Sequence, residues 1–299
     1  MFNFFNRKVF NSGYLPEHEG HEVFFQEVGN KDGEIVLHFH GGPGGRSSIN
    51  QAKNYNLKKQ RVILFDQRGT GLSKTNDLTN LNDTGRLVKD AKRLLDYLGI
   101  DTPISVGGGS WGTTLALLFA IKYPKLVKNI YLYSVFLARR EDMEYMLKHT
   151  GLFYPDMLEE IKKQSEGENP YTYYAKLIFS NDLGSIQRAI KYMVHYEYLL
   201  GKISPKFEET RIDNDTINSA RIYLYYAANR YFLEENEILK NIDSIKDIPT
   251  LIVHNRLDMC CPLKGAWDLY RSLNNATIDI VPDIGHVGKL LKKTYRSHF

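Results

Sequence analysis

The stretch GGGSWG at residues 107–112 fits two motifs at once, and the choice between them decides the fold. Read as Gly107-x-Gly109-x-x-Gly112 it matches the dinucleotide-binding fingerprint, whose glycines bring the backbone close to a pyrophosphate. Read as Gly108-x-Ser110-x-Gly112 it matches the tight strand-to-helix turn that presents a nucleophilic serine. Both readings need a strand before the glycines and a helix after them. "PISV" (103–106) supplies the strand, and "TTLALLFAIKY" (113–123), apolar on nearly every side, supplies a central buried helix. The dinucleotide reading also needs an acid about 20 residues further on to hold a ribose hydroxyl. VKNIYLYSVFL (127–137) contains no carboxylate, so that reading lacks its check.

The serine reading makes harder demands. An acid and then a histidine must follow, each on a loop after a later strand. Asp258, in "NRLDMCCP" (255–262), follows the apolar run "TLIVHN" (250–255), and His286, in "PDIGHVG" (282–288), follows "TIDIV" (277–281). Each residue has a plainer use. Ser110 suits a helix N-cap, Asp279 or Asp283 competes with Asp258, and His298 competes with His286. Order and placement together favour Ser110, Asp258 and His286 as nucleophile, orienting acid and base. The oxyanion donors are assigned to the N–H groups of Gly42, in "HGGPGG" (40–45) after the strand "EIVLHF", and of Trp111. Gly41 of the same loop is placed against the substrate. "DQRGTGLS" (66–73) follows another strand, and Asp66 and Arg68 read as a buried ion pair bracing loops near the site.

Further out, "HEVFFQEV" (21–28) alternates like a half-buried strand and "RVILFD" (61–66) is continuous enough to be buried on both faces of a parallel sheet. A helix is predicted at about 83–98, capped by Asn82 or Asp83 and ended by Gly99. "KNIYLYSVF" (128–136) and "ATIDIVPD" (276–283) are further strands, with a helix near 263–273. This alternation predicts an α/β fold with a mostly parallel sheet. From 137 to 240 the pattern turns helical, and twelve of the twenty tyrosines lie there. The expected organisation is one core of residues 1–136 and 241–299, interrupted by a helical cap at 137–240.

The totals exclude several classes. With 299 residues, 42% apolar and 25% charged, the chain has the composition of an ordinary globular protein. Its 39 basic and 35 acidic residues are interleaved, which argues against a nucleic-acid partner. MFNFFNRKVF lacks the apolar core of a secretory signal, and no run reaches the ~18 apolar residues of a membrane span. The only cysteines, Cys260 and Cys261, are neighbours, so they form neither an ordinary structural disulfide nor a metal site by themselves. A reducing, cytoplasmic setting without a membrane partner is the simplest reading, and none of these features speaks to oligomeric state.

Taken together, "SGYLPEHEGHEVFFQEVGN", "HGGPGG", "DQRGTGLS", "GGGSWGTTLAL", "VHNRLDMCCP" and "GHV" resemble the prolyl aminopeptidase (proline iminopeptidase) family of α/β-hydrolase serine peptidases, in family order. The resemblance implies an α/β-hydrolase fold with an inserted helical cap. It also implies a serine enzyme, needing no metal or organic cofactor, that removes an N-terminal residue, typically proline, from a small peptide with a free N-terminus. In the family, a Trp-Glu pair on a cap helix offers a carboxylate to the substrate amine. Here Tyr196-Glu197 stands at that place, so Glu197 is the expected amine anchor. A desolvated carboxylate recognises an ammonium through a charge-assisted hydrogen bond. Members often carry a second glutamate in an "ENHYF"-like segment. The counterpart "AANRYF" (227–232) puts Ala228 or Asn229 there, with Glu234, Glu235 and Glu237 as candidates to compensate. Other serine hydrolases (esterase, lactonase, amidase) remain the alternative. An epoxide hydrolase or dehalogenase would need an aspartate where Ser110 stands.

Overall fold

The apolar runs pair into one eight-stranded sheet in a computed structural model of the chain, which describes residues 9–203 and 212–299. The strands are β1 (Val9–Tyr14), β2 (His21–Glu22), β3 (Phe24–Gly29), β4 (Glu34–Phe39), β5 (Gln60–Phe65), β6 (Lys74–Thr75), β7 (Ile104–Ser110), β8 (Val127–Val135), β9 (Thr250–Leu257) and β10 (Ala276–Ile284). In space the main sheet runs β1-β3-β5-β4-β7-β8-β9-β10, while β2 and β6 form a separate two-stranded pair. β1 and β3 are antiparallel to their neighbours, and every pairing from β5 to β10 is parallel. Parallel neighbours need crossover helices, which is why helices alternate with strands here. The segment 21–28, expected as one strand, is divided at Val23. His21–Glu22 pairs with Lys74–Thr75, whereas Phe24 onward joins the main sheet.

The helices of the sheet region are α1 (Ile49–Ala52), α2 (Thr84–Tyr97) and α3 (Trp111–Lys122). Asp83 caps α2 by accepting from the Arg86 N–H at 2.9 Å, and Leu87, Val88, Ala91, Leu94 and Leu95 bury its inner face. Gly99, at φ +66°, ends it in the left-handed conformation that favours glycine. α3 is buried from Trp111 through Ala120. Between β8 and β9 every described element is helical: α4 (Arg140–Lys148), α5 (Pro155–Gln164), α6 (Pro170–Ile178), α7 (Leu183–Ala189), α8 (His195–Lys202), α9 (Asn214–Ala228) and α10 (Glu237–Lys240), with short single turns among them. The chain returns through α11 (Leu263–Ser272) and closes with α12 (Lys289–Arg296). One apolar cluster fills the side of α2, α3 and α11, and a smaller one, with His38 and Tyr55 at its polar edge, lies under α1 and α12. No described helix is long and apolar enough to cross a membrane.

This order sets where a ligand can bind. In open α/β sheets the crevice lies beyond the carboxyl ends of the parallel strands. The carboxyl ends of β4, β5, β7, β9 and β10 all lie at that end, and at or just after them stand residues 40–45, 66–73, Ser110, Asp258 and His286.

Candidate active site

β7 passes into α3 without a loop, and Ser110 makes the turn at φ 56° and ψ −130°. A non-glycine residue held there costs about 1–3 kcal/mol and persists only if its surroundings enforce it. The enforcement comes from close backbone crossings. A Cβ on Gly108 would lie 2.3 Å from the Gly112 carbonyl oxygen, and one on Gly112 would lie 2.1 Å from that of Phe39. Gly109, which the motif leaves open, is as constrained: a Cβ there would stand 2.0 Å from the Tyr133 ring. The Ser110 side chain makes no capping hydrogen bond. Its use as a mere N-cap is thereby removed.

Asp258 and His286, on the loops after β9 and β10, meet. His286 Nδ1 and Asp258 Oδ2 are 2.7 Å apart, while Asp258 Oδ1 accepts from the Cys260 and Cys261 N–H groups, both at 2.9 Å. The turn after β9 thus fixes the carboxylate before the histidine arrives. The His286 N–H donates to the Gly201 carbonyl at 2.7 Å, and its own carbonyl accepts from Ser134 Oγ at 2.6 Å. Burial pushes the His286 imidazole down, but Asp258, and more weakly Glu197, outweigh it and hold the pKa above the ordinary histidine value.

A second histidine, without a signal in the sequence, ties the turn of Asp258 to the strand beside Ser110. His254 is fully buried in β9, and its Nδ1 accepts from the Val135 N–H at 3.0 Å. That acceptor role leaves the proton on Nε2, which donates to the Cys261 carbonyl at 2.8 Å and stands 3.7 Å from Asp258 Oδ2. Val135 is the register partner of Ser110. Burial lowers the His254 pKa and keeps the ring neutral.

The glycine loop after β4 lies against Ser110. A Cβ on Gly41 would be 3.2 Å from the Gly109 carbonyl and 3.4 Å from Ser110 Cβ. Gly42 adopts φ +132°, where a side chain would collide with the Gly44 and Gly45 nitrogens. Trp111 begins α3, so its N–H is among the first-turn donors without an intrahelical partner. Gln67 locks the two parts together. Its side chain accepts from the Trp111 indole at 3.0 Å and donates to the His40 carbonyl at 3.0 Å, while its N–H donates to His40 Nε2 at 3.1 Å. Gln67 lies inside the "DQRG" segment, but an uncharged amide gave no signal of its own.

Asp66 and Arg68 both brace loops, yet they do not pair with each other as expected. Asp66 accepts the N–H groups of Ser47 (2.6 Å) and Leu72 (2.7 Å). Arg68 turns to the opposite side, onto Asp90 (2.5 and 2.9 Å) and Glu19 (2.7 Å). Buried backbone N–H groups need acceptors as much as a guanidinium needs carboxylates, and the two demands are met separately. The rivals of the candidate triad are also accounted for. Asp279 and His298 pair with each other at 2.7 Å, exposed at the edge of β10, and Asp283 accepts from the Ile284 N–H at 2.9 Å.

Above the sheet, α8 points Glu197 inward. The carboxyl meets Tyr223 and lies within electrostatic reach of His286, Tyr171 and Tyr231. Burial raises its pKa, with Tyr223 and His286 pulling the other way. The neighbouring Tyr196, 1% exposed, is turned away, its hydroxyl 2.6 Å from Thr150 Oγ1. The carbonyl of Glu197 accepts from the Cys260 thiol at 3.2 Å. Asp258, Cys260 and His286 bring ligand-type atoms within 4.8 Å of one another. Burial keeps that thiol protonated, however, and the Asp258 oxygens are already engaged by two N–H groups and the imidazole, so the donor set fits a hydrogen-bond relay.

Comparison with known proteins bears on the family and the fold. A profile for the alpha/beta hydrolase fold matches residues 34–293. The chain is 32% identical to the proline iminopeptidase of Arabidopsis thaliana over 286 residues, covering 93% of this chain and 75% of that one. It is 33% identical to the proline iminopeptidase of Neisseria gonorrhoeae over 290 residues, covering 94% and 91%. Among solved structures it resembles a proline iminopeptidase-related protein of Thermus thermophilus (TM-score 0.61, 19% identity, 96% of each chain). A haloalkane dehalogenase of Bradyrhizobium elkanii is similar too (TM-score 0.65, 16% identity, 96% and 94%), a likeness of fold alone.

Proposed function

The chain belongs to the alpha/beta hydrolase fold family and, within it, to the proline iminopeptidases, and from that membership we propose that it releases an N-terminal residue, preferably proline, from small peptides through an acyl-enzyme on Ser110. His286 takes the Ser110 proton as the hydroxyl oxygen attacks the scissile carbonyl, and Asp258 orients the imidazole and stabilises its charged form. The N–H groups of Gly42 and Trp111 receive the oxyanion, with Gly41 along the substrate. His286 then protonates the leaving amine, and water resolves the ester formed on Ser110. The helical segment 137–240 acts as the cap that encloses the N-terminal residue, with Glu197 accepting its ammonium.

The meeting of an inward carboxylate, Glu197, with the His286–Asp258 pair carries this reading. A plain esterase has no use for a desolvated acid beside its base, whereas an aminopeptidase must select a cation there. Ala228, which leaves the family's second carboxylate unfilled, favours the alternative of an esterase, lactonase or amidase with a relaxed cap. Rates on proline-naphthylamide, alanine-naphthylamide and simple esters separate the two. An aminopeptidase prefers the free-amine substrates, and turnover restricted to amine-free or N-acylated ones would overturn the role of Glu197. Ser110→Ala is expected to abolish both turnover and fluorophosphonate labelling while the fold stays intact. A folded variant with near-normal activity would remove the nucleophile.

A further inference from the structure

α9 lies directly over the site, and its inner face can be followed turn by turn. Ser219 Oγ donates to the Gly44 carbonyl of the glycine loop at 2.8 Å. Two turns further, the Tyr226 ring packs on Trp111 with centroids 5.6 Å apart, and its hydroxyl donates to Asn82 Oδ1 at 2.8 Å. Beyond the helix, Arg230, Tyr231 and Phe232 adopt φ of 50°, 55° and 54°, three successive left-handed residues without a glycine. That turn sets the Tyr231 ring 5.4 Å from Trp111 and 5.2 Å from Phe136. Tyr223 falls between these contacts, four residues after Ser219, on the face turned toward the nucleophile.

Tyr223 differs from other buried tyrosines in one respect. The buried hydroxyls of Tyr226, Tyr196 and Tyr55 are each hydrogen-bonded, to Asn82, Thr150 and His38. The Tyr223 hydroxyl is buried with no partner of proper geometry, although it lies against Glu197 and Tyr171. A buried, unsatisfied hydroxyl is costly and calls for an explanation. The candidates for a second amine anchor do not reach this place. Glu234 and Glu235 are exposed, Glu235 accepts from the Arg140 N–H at 3.1 Å, and Glu237 accepts from the Glu234 N–H at 2.9 Å. They line an outer cleft together with Ala228.

We propose that Tyr223 is a specificity-determining residue of the amine site, its hydroxyl donating to Glu197 while its lone pair accepts one N–H of the substrate's N-terminal ammonium. The proposal rests on the reading of Glu197 as amine anchor and says what stands in for the absent second carboxylate. It also defines a substrate class. With one Glu197 oxygen taken by the Tyr223 hydroxyl, the other carboxylate oxygen and the phenol oxygen offer two acceptors, which matches the two N–H groups of a secondary ammonium such as that of an N-terminal proline. A primary ammonium brings a third N–H that must find another acceptor in an enclosed site. Exchange of a second carboxylate for a neutral oxygen also leaves the site with a single negative charge to balance a single positive one.

The test is Tyr223→Phe beside Glu197→Gln, with proline-naphthylamide and the naphthyl ester of cyclopentanecarboxylic acid, a ring of the same size without the amine. Tyr223→Phe is expected to raise KM for the prolyl substrate about 10-fold or more, with kcat within about 3-fold, and to leave the ester unchanged. Because the hydroxyl completes its bond to Glu197 only with the substrate ammonium in place, the variant should not lower the melting temperature of the substrate-free protein. Glu197→Gln should weaken the prolyl substrate more strongly, while the ester, measured on the alkaline plateau above the acid limb, keeps its rate. If Glu197→Gln discriminates and Tyr223→Phe does not, this proposal fails while the amine anchor stands. If Glu197→Gln affects both substrates alike, the anchor and the proposal fail together. Wild-type protein gives a second reading independent of any variant's folding. Pyrrolidine, with two N–H groups as a cation, should inhibit about 10-fold better than N-methylpyrrolidine, with one. Equal inhibition would overturn the two-acceptor arrangement.

Discussion

Ser134 Oγ donates to the main-chain carbonyl of His286 at 2.6 Å, joining His286 to the strand that runs beside Ser110. Ser134 is itself at φ 51°, and the next residue, Val135, is the register partner of Ser110. His286 is therefore referenced to Ser110 through β8, besides its bond to Asp258. Ser134→Ala is expected to lower kcat/KM about 3- to 10-fold, with a stability loss near 1 kcal/mol, the usual worth of one neutral hydrogen bond. Activity and melting temperature measured on the same preparation check this. A loss of stability without a loss of kcat/KM would mean that the bond does not position the base.

The pH dependence of turnover follows from the groups facing His286. A general base works only when neutral, so activity falls as pH drops through its pKa. That pKa stands above 6.5, because the charges of Asp258 and Glu197 outweigh the effect of burial. Removing the Glu197 charge takes away one contribution that favours the imidazolium, and the pKa falls. In Glu197→Gln the acid limb of kcat/KM, followed on an amine-free ester, is expected to move to lower pH. A limb that stays in place or moves up would separate Glu197 from the base.

Gly109 is held by the Tyr133 ring, whose nearest atom would lie 2.0 Å from an added Cβ. Gly109→Ala must therefore push Tyr133 off its place under β7, at about 1–3 kcal/mol for overpacking a core position. Tyr133→Leu in the same chain should restore part of the loss, since a smaller side chain admits the methyl group. A double-mutant cycle in chemical denaturation checks the coupling, and additive effects would show that the ring is not what excludes a side chain at 109.

The succession of strands along the chain and the residues at strand ends were legible because they rest on local pattern. Apolar runs with glycine-rich exits make β4, β5 and β7, and a parallel sheet brings those exits to one end. Asp258 and His286 could be placed from their positions after β9 and β10 alone. Pairings between distant segments could not. That Asp279 would pair with His298, or that Arg68 would choose Asp90 and Glu19 over Asp66, depends on side-chain directions that no spacing encodes. Tyr223 was one of twelve tyrosines in the helical segment. Only the packing of α9 over the glycine loop separates it from tyrosines that fill space.

Acid stability offers a reading of the sheet beneath the site. His38 lies in β4 with Nδ1 2.8 Å from the Tyr55 hydroxyl, stacked on Tyr133, and with Nε2 buried and unpartnered. Burial, helped by the nearby His40, lowers its pKa from 6.5 to about 3. The folded state thus binds fewer protons than the unfolded chain wherever pH lies between those values. The contribution to stability is fully present above pH 6.5 and is lost progressively as pH falls toward 3. At 1.36 kcal/mol per pH unit, the loss between pH 7 and pH 4.5 is about 2–3 kcal/mol for this residue. His38→Gln cannot titrate and keeps a polar partner for Tyr55. Denaturant unfolding at the two pH values should show the wild type losing that much more stability than the variant, with His40 and His254 common to both. Equal losses would mean that His38 takes up its proton without unfolding the chain.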